Sequence, residues 1–264
     1  MPEGDTLHKL ARYLAPKLRD RKLEPFQAER SPRALVVSDD HVDDVIARGK
    51  HLLIQLQSGR SLRVHLGMHG TFHHYHRDAR WKRSPGTAQL ILASGSDLFV
   101  CFRPTKVELT HARPPAAVRA LGPDLALGVP EKDLLWDRIQ RAIEHSPRLD
   151  DLLLDQRISS GIGNVYKSEI LFIHRLSPHH LVNTLAFDSL LPLFESGSIL
   201  LRDNLKGGPR VTTRKSLPDV DAKGANLWVY GRRGDPCFRC SAPIKKIMSG
   251  RQARITYWCE QCQT

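Results

Sequence analysis

The chemistry most plainly legible in this chain is at its end. CFRC and CEQC place Cys237, Cys240, Cys259 and Cys262 in two close pairs separated by 18 residues. Zn²⁺ favours a tetrahedron of soft thiolates, and each CxxC turn supplies two of them. Four protein ligands leave no open coordination position, so such a metal would be structural. A redox pair or a chance spacing are the other readings of the same residues. Between the pairs, KKIMSGRQARITYW reads as two short strands around a turn, and its Lys245, Lys246, Arg251 and Arg254 suggest contact with phosphate. A second set is DQRISSGIGNVYKSEILF. Glycines let the SGIGN turn approach a ligand closely, and Asn164 at the start of a new helix can bind phosphate with the backbone amides there. Lys167 adds charge one turn later. An ordinary helix-hairpin turn fits that stretch as well. The third set is MPEGDT at the start. Removal of Met1, expected before a small residue, would leave Pro2 as a terminal secondary amine with the Glu3 carboxylate beside it. Read alone, these six residues more readily describe a frayed terminus.

These sets need a scaffold. DTLHKLARYLAPKL puts Leu7, Leu10, Leu14 and Leu18 on one helical stripe, with Asp5 or Thr6 as N-cap. Pro2 and Glu3 would then precede the positive end of a helix, which disfavours a protonated amine. From about 22 to 113, short apolar runs alternate with turn signals, as in HLLIQLQ, SGR and SLRVHLGM. This predicts an antiparallel β-sandwich packed with the first helix. Cys101, in LFVCF, reads as a buried strand residue, and HHYHRDARWKRSPG as a polar, basic loop. RPPAAVRALGPDLALGVP looks like a hinge. After it LLWDRIQRAIEH, LDDLLLDQ, NVYKSEILFIH and a run near 186–205 read as helices, and 207–226 as a long loop. The expected fold class is α+β, with domains at 1–116, 117–226 and 227–264.

Composition narrows the partner. Forty Lys and Arg against 28 Asp and Glu give a net charge of +12, which favours a polyanion, nucleic acid first. No apolar run approaches the ~20 residues of a membrane span, and no secretory signal is visible. The expectation is an intracellular protein of the cytoplasm or nucleoid, acting as a monomer away from membranes.

PEG at 2–4, RGKHLL at 48–53, HLGMHG at 65–70, LGPDL at 121–125, SSGIGNVYKSEILF at 159–172, VYGRRGDPCFRC at 229–240 and ARITYWCEQCQ at 253–263 occur in one order. In that combination the chain resembles the formamidopyrimidine-DNA glycosylase and endonuclease VIII family of DNA repair enzymes, from end to end. The resemblance implies a helix and β-sandwich domain facing a helix–two-turn–helix domain with a zinc finger, and damaged DNA in the cleft. It implies a base flipped from the stack and attack on C1′ of its sugar by Pro2, giving a Schiff base. Base loss and then β- and δ-elimination cut the strand. Glu3 matches the family's acid for proton transfer, Lys50 a lysine near the base and its phosphate, and Asn164 a clamp on backbone phosphates. Arg254 matches an arginine that binds phosphate and assists elimination, and the four cysteines match the zinc ligands.

PEG rather than PEL resembles the endonuclease VIII branch, which implies oxidised pyrimidines as substrates. The Arg-Arg-Phe loop of the purine-directed branch is replaced by Thr105, Lys106 and Val107 in FRPTKVEL. Met68 is then the expected wedge that fills the gap in the duplex, with His69 beside it; buried strand packing is the other reading of Met68. The family often carries a second glutamate soon after PEG, where this chain has Asp5 and Thr6. A lyase acting mainly on abasic or single-stranded DNA, and a non-catalytic zinc-bearing DNA-binding protein, are the alternatives.

Overall fold

A computed structural model describes residues 1–29, 31–111, 114–213 and 220–264. It divides into two compact units, 1–120 and 121–264. Of the segments read above as hinge and long loop, Arg113 and 214–219 lie outside the described residues.

The first unit opens with α1 (Gly4–Leu18), capped by Glu3 rather than by Asp5 or Thr6. Two sheets follow. β1 (Lys22–Leu23), β3 (Asp40–Arg48), β4 (His51–Leu56), β5 (Ser61–His65) and β9 (Lys106–Thr110) form one, in the order β1-β3-β4-β5-β9. β2 (Leu35–Val37), β7 (Ala88–Ser94), β8 (Asp97–Phe102) and β6 (Thr71–His76) form the other, in the order β2-β7-β8-β6. The sheets are antiparallel except at β2, which runs parallel to β7. Period-two alternation turns Leu52, Ile54, Leu62 and Val64 of one sheet towards Leu90, Leu92, Phe99 and Cys101 of the other. Leu7, Leu14 and Leu18 of α1 join the same core. Burial leaves the Cys101 thiol pushed up to about 12, inert as expected of a strand residue. The outer face of the second sheet has its own apolar layer, including Ile91, Val100 and Phe102, with Trp81 from the basic loop packed on it. The unit ends in α2 (Ala116–Arg119).

The second unit contains α3 (Lys132–Ala142), α4 (Leu149–Leu154), α5 (Asn164–Ile173) and α6 (Phe187–Asp203), around a core that includes Leu135, Leu152, Ile170 and Phe194. A hairpin of β10 (Lys245–Ser249) and β11 (Arg254–Trp258) follows. LGPDL is buried structure rather than hinge. Gly122 N–H donates to the Gln156 carbonyl and Ser160 N–H to that of Pro123, both at 2.8 Å. A Cβ at Gly122 would lie 2.4 Å from the Ile158 carbonyl oxygen, so only glycine allows this approach. Among the described residues, no helix is long and apolar enough to cross a membrane.

Candidate active site and metal centre

The start of the chain is built into the first unit. Glu3 is fully buried at the N-cap of α1. Its N–H donates to Thr6 Oγ1 at 3.4 Å, and its carbonyl accepts from the Thr6 and Leu7 N–H groups. Thr6 thus makes the reach-back bond that a Glu or Gln usually makes three residues into a helix. Its hydroxyl also donates to Asp5 Oδ1, and Asp5, buried in turn, pairs with Lys9 at 3.6 Å. The two departures in MPEGDT are therefore local structure: threonine and aspartate fix the residue that follows Pro2. Pro2 and Thr6 share a cavity of about 920 Å³ with Met68, His73, Arg83 and Arg103. Lys82 lines this cavity as well, and burial, then the charges of Arg83 and Lys82, hold His73 below its ordinary range.

Met68 is 57% exposed, so the packed-strand reading fails. It stands in the turn between β5 and β6, where Gly67 takes φ +64° and a Cβ there would lie 1.7 Å from Thr105 Oγ1. The Thr105 N–H donates to the His65 carbonyl at 2.9 Å. Lys106 and Val107 belong to β9, and Val107 packs on the core. The stretch expected as a loop is thus mostly strand, which leaves Met68 as the exposed apolar side chain at that turn.

Lys50 is not among the residues lining the cavity. It occupies the two-residue β3–β4 turn, where Gly49 at φ +57° supplies the backbone conformation such a hairpin requires. Beside it the sheet surface carries a cluster that the sequence did not reveal. The rings of His51 and His65 lie 4.9 Å apart. Arg63, nearly buried, donates from its guanidinium to His51 Nδ1 at 3.2 Å and to Glu108 Oε2 at 2.8 Å. Burial, then the charges of His65, Arg63 and Lys50, lower His51 to about 3, and burial with Lys50 and Arg63 also lowers His65. Both imidazoles are neutral beside the lysine at neutral pH. These residues come together only through strand register, and no local spacing announces them.

In the second unit α5 begins at Asn164, with Gly163 as its N-cap. Gln156 fastens the turn before it, donating from its amide to the Leu154 and Ile162 carbonyls and accepting from the Gly161 N–H. Lys167 corrects an expectation. It is fully buried rather than on the surface; its Nζ donates to Asn164 Oδ1 at 3.4 Å and to the Ile255 carbonyl at 3.3 Å. Arg254 is exposed at the start of β11. β11 is fastened to α5 again by Tyr257 N–H on Ser168 Oγ at 3.2 Å. The hairpin tip is held at α4, where Asp151 Oδ1 accepts the Arg251 N–H at 2.8 Å. Glu169, fully buried, accepts from the Trp228, Val229 and Tyr230 N–H groups and from the Thr212 hydroxyl. Burial still raises its pKa against those bonds.

The four cysteine sulfurs lie within 4.8 Å of one another, with Cys237–Cys262 at 3.9 Å and Cys240–Cys259 at 3.5 Å. Bonds of ~2.3 Å to one tetrahedral ion give sulfur–sulfur edges of about 3.8 Å, so the set fits a metal. Burial and the neighbouring Cys240 sulfur push the Cys259 thiol up to about 11. A cation at the centre reverses that preference and holds the group as thiolates.

Two family models match the chain. The N-terminal domain of formamidopyrimidine-DNA glycosylase matches residues 1–103, and the H2TH domain of the same family matches 121–215. A curated relative from Streptomyces coelicolor, described as probable endonuclease 8 2, is 37% identical over all of this chain and 94% of its own length. The protein described as DNA-(apurinic or apyrimidinic site) lyase Nei2, from Mycolicibacterium smegmatis, is 34% identical and covered over 99% of its length. Among solved structures, Lactococcus lactis formamidopyrimidine-DNA glycosylase bound non-covalently to DNA with an abasic site superposes with a TM-score of 0.78 at 22% identity. That match covers 99% of both chains and bears on the fold.

Proposed function

Since the chain belongs to the formamidopyrimidine-DNA glycosylase family, we propose that it is a bifunctional DNA glycosylase and abasic-site lyase of base excision repair, acting on oxidised bases, pyrimidines first, in DNA. The observation that carries this reading is the placement of Pro2 on a cavity, next to a Glu3 that the fold buries and fixes as a helix cap. A frayed terminus has no reason to be held so.

Once Met1 is removed, the Pro2 nitrogen attacks C1′ of the damaged nucleotide and the base departs with a proton, for which Glu3 is the partner. The proline nitrogen loses its proton, the sugar ring opens as O4′ leaves C1′ and takes up a proton, and the nitrogen lone pair forms the C1′=N⁺ bond of an iminium. That cation draws electrons from the neighbouring C–H bond, so loss of the C2′ proton expels the 3′ phosphate; a second elimination expels the 5′ phosphate. Lys50, in its fixed turn, serves the phosphate and proton transfers of these steps. Its neighbours His51 and His65, held neutral, do not add charge to the site at neutral pH. Met68 is the wedge that replaces the flipped nucleotide. Asn164 at the α5 N-terminus and Arg254 on the hairpin hold phosphates. Zn²⁺ on Cys237, Cys240, Cys259 and Cys262 keeps that hairpin folded and takes no part in bond breaking.

Thr6 favours a second reading. It lines the cavity where the family commonly has a second glutamate, so base removal would be the weaker activity and abasic-site cleavage the stronger. A panel of oligonucleotides, each with one lesion, in duplex and single-stranded form, separates the two. The proposal predicts release of oxidised pyrimidines with a cut strand. Cleavage of abasic DNA alone supports the second reading, and binding with no cleavage of any member overturns both.

A further inference from the structure

We infer that Lys167 is a positioning residue which sets the direction of the Asn164 amide and ties it to the hairpin that carries Arg254. The inference rests on the proposed function, since it concerns the same phosphate ligands. A lysine in the first turn of a helix next to a glycine-rich turn would ordinarily be assigned to phosphate. Here it is fully buried, so that assignment fails and its charge needs another account. A buried amine is costly unless its donors are satisfied. Two of its acceptors are identified: Asn164 Oδ1 at 3.4 Å and the Ile255 carbonyl at 3.3 Å. The Asp151 carboxylate is within its electrostatic reach, and that same carboxylate accepts the Arg251 N–H at the hairpin tip.

The consequence lies in the chemistry of the amide. Asparagine has one face that accepts and one that donates. Lys167 brings donors, so it selects the orientation with Oδ1 inward. The Nδ2 group, with two N–H donors, is then left to face outwards at the first residue of α5, at the positive end of the helix. A phosphate oxygen can only accept, so the orientation set from below is the one that binds phosphate. Without Lys167 both orientations are open, and half of them present an oxygen to the phosphate. The second bond extends the effect. Ile255 follows Arg254 in β11, and its carbonyl is fixed to the same Nζ. One buried side chain therefore sets two phosphate ligands that are 90 positions apart in sequence.

The test measures the affinity of the full-length zinc-loaded protein for duplex DNA carrying one stable abasic-site analogue. Lys167→Met keeps the unbranched stem and removes the donor; Lys167→Gln keeps an N–H donor and removes the charge. Asn164→Ala and the double variant Asn164→Ala/Lys167→Met complete a cycle. The inference predicts that Asn164→Ala weakens binding about tenfold, the scale of one charge-assisted hydrogen bond, and that Lys167→Met, which leaves both amide orientations open, weakens it about twofold or more. The double variant is then little worse than Asn164→Ala, and Lys167→Gln retains more affinity than Lys167→Met whatever the order of their melting temperatures. A role in packing alone predicts multiplied losses and no advantage for glutamine, and either result overturns the inference. Should the Lys167 variants fail to fold, Asn164→Asp decides. Its carboxylate satisfies Lys167 and offers only oxygen outward, so it must bind more weakly than Asn164→Ala; binding equal to or tighter than Asn164→Ala overturns the inference. Wild-type protein that does not bind abasic DNA sinks the proposed function, and with it this inference, whereas wild-type binding with additive variants sinks the inference alone.

Discussion

At the scale of single residues, the surroundings of Pro2 and Glu3 decide the chemistry. Glu3 is buried as a helix cap, and Thr6 and Asp5 hold that cap in shape. A general acid is worth roughly 10²–10⁴ in rate where the leaving group needs a proton, and far less where no base remains to leave. Glu3→Gln is therefore expected to slow release of an oxidised base by about 10²-fold or more while an abasic site in the same duplex is cut with a much smaller loss. Single-turnover assays on matched substrates measure this; equal losses on both would remove Glu3 from base departure. Lys167 carries the opposite lesson. Its type and position in the motif predicted a surface charge, and its burial assigns it a role beneath the surface.

At the scale of elements, tight backbone contacts place the functional side chains. The turn that exposes Met68 closes on Thr105 so tightly that Gly67 has no room for a Cβ, and it also needs a positive φ. Gly67→Ala combines a left-handed alanine, ~1–2 kcal/mol, with overpacking of ~1–3 kcal/mol, and is predicted to destabilise the first unit by about 2–5 kcal/mol. Thermal melting reads this, and an unchanged melting temperature would refute the contact. Helices were legible because their apolar spacing is long and regular, as in α1, α5 and α6. The cysteine cluster around the hairpin was legible because cysteines have few other uses at that spacing. β6 was not: His73, His74 and His76 look like loop residues, and only their pairing with β8 and the aromatic rings around them make a strand. β9 was missed for the same reason, its Lys106 and Glu108 being polar and its partners lying over 40 positions earlier. The cluster of His51, Arg63, His65 and Glu108 is likewise a product of register. Sequence showed which residues carry the motifs; cross-strand geometry showed what braces them.

At the scale of the whole molecule, a net charge of +12 supplies the salt-dependent attraction to DNA that no single residue provides. Under the proposed function, the cysteine tetrad makes the second unit dependent on metal. Trp228, Val229 and Ile244 share a small core with Phe172, Cys237 and Cys259, which a metal on the cysteines would staple. Stripping the metal with a strong chelator is expected to lower the melting temperature and the affinity for DNA together, and zinc added back to restore both; full activity in metal-free protein would contradict a structural ion. The central claim remains that the start of the chain is the nucleophile. The most direct measurement is borohydride reduction during reaction with DNA containing an abasic site, followed by mass spectrometry of the digested complex. The account predicts a covalent adduct on the nitrogen of Pro2 in chains that have lost Met1, absent when a tag precedes Pro2. An adduct mapped to any lysine, or one that persists behind the tag, would contradict it.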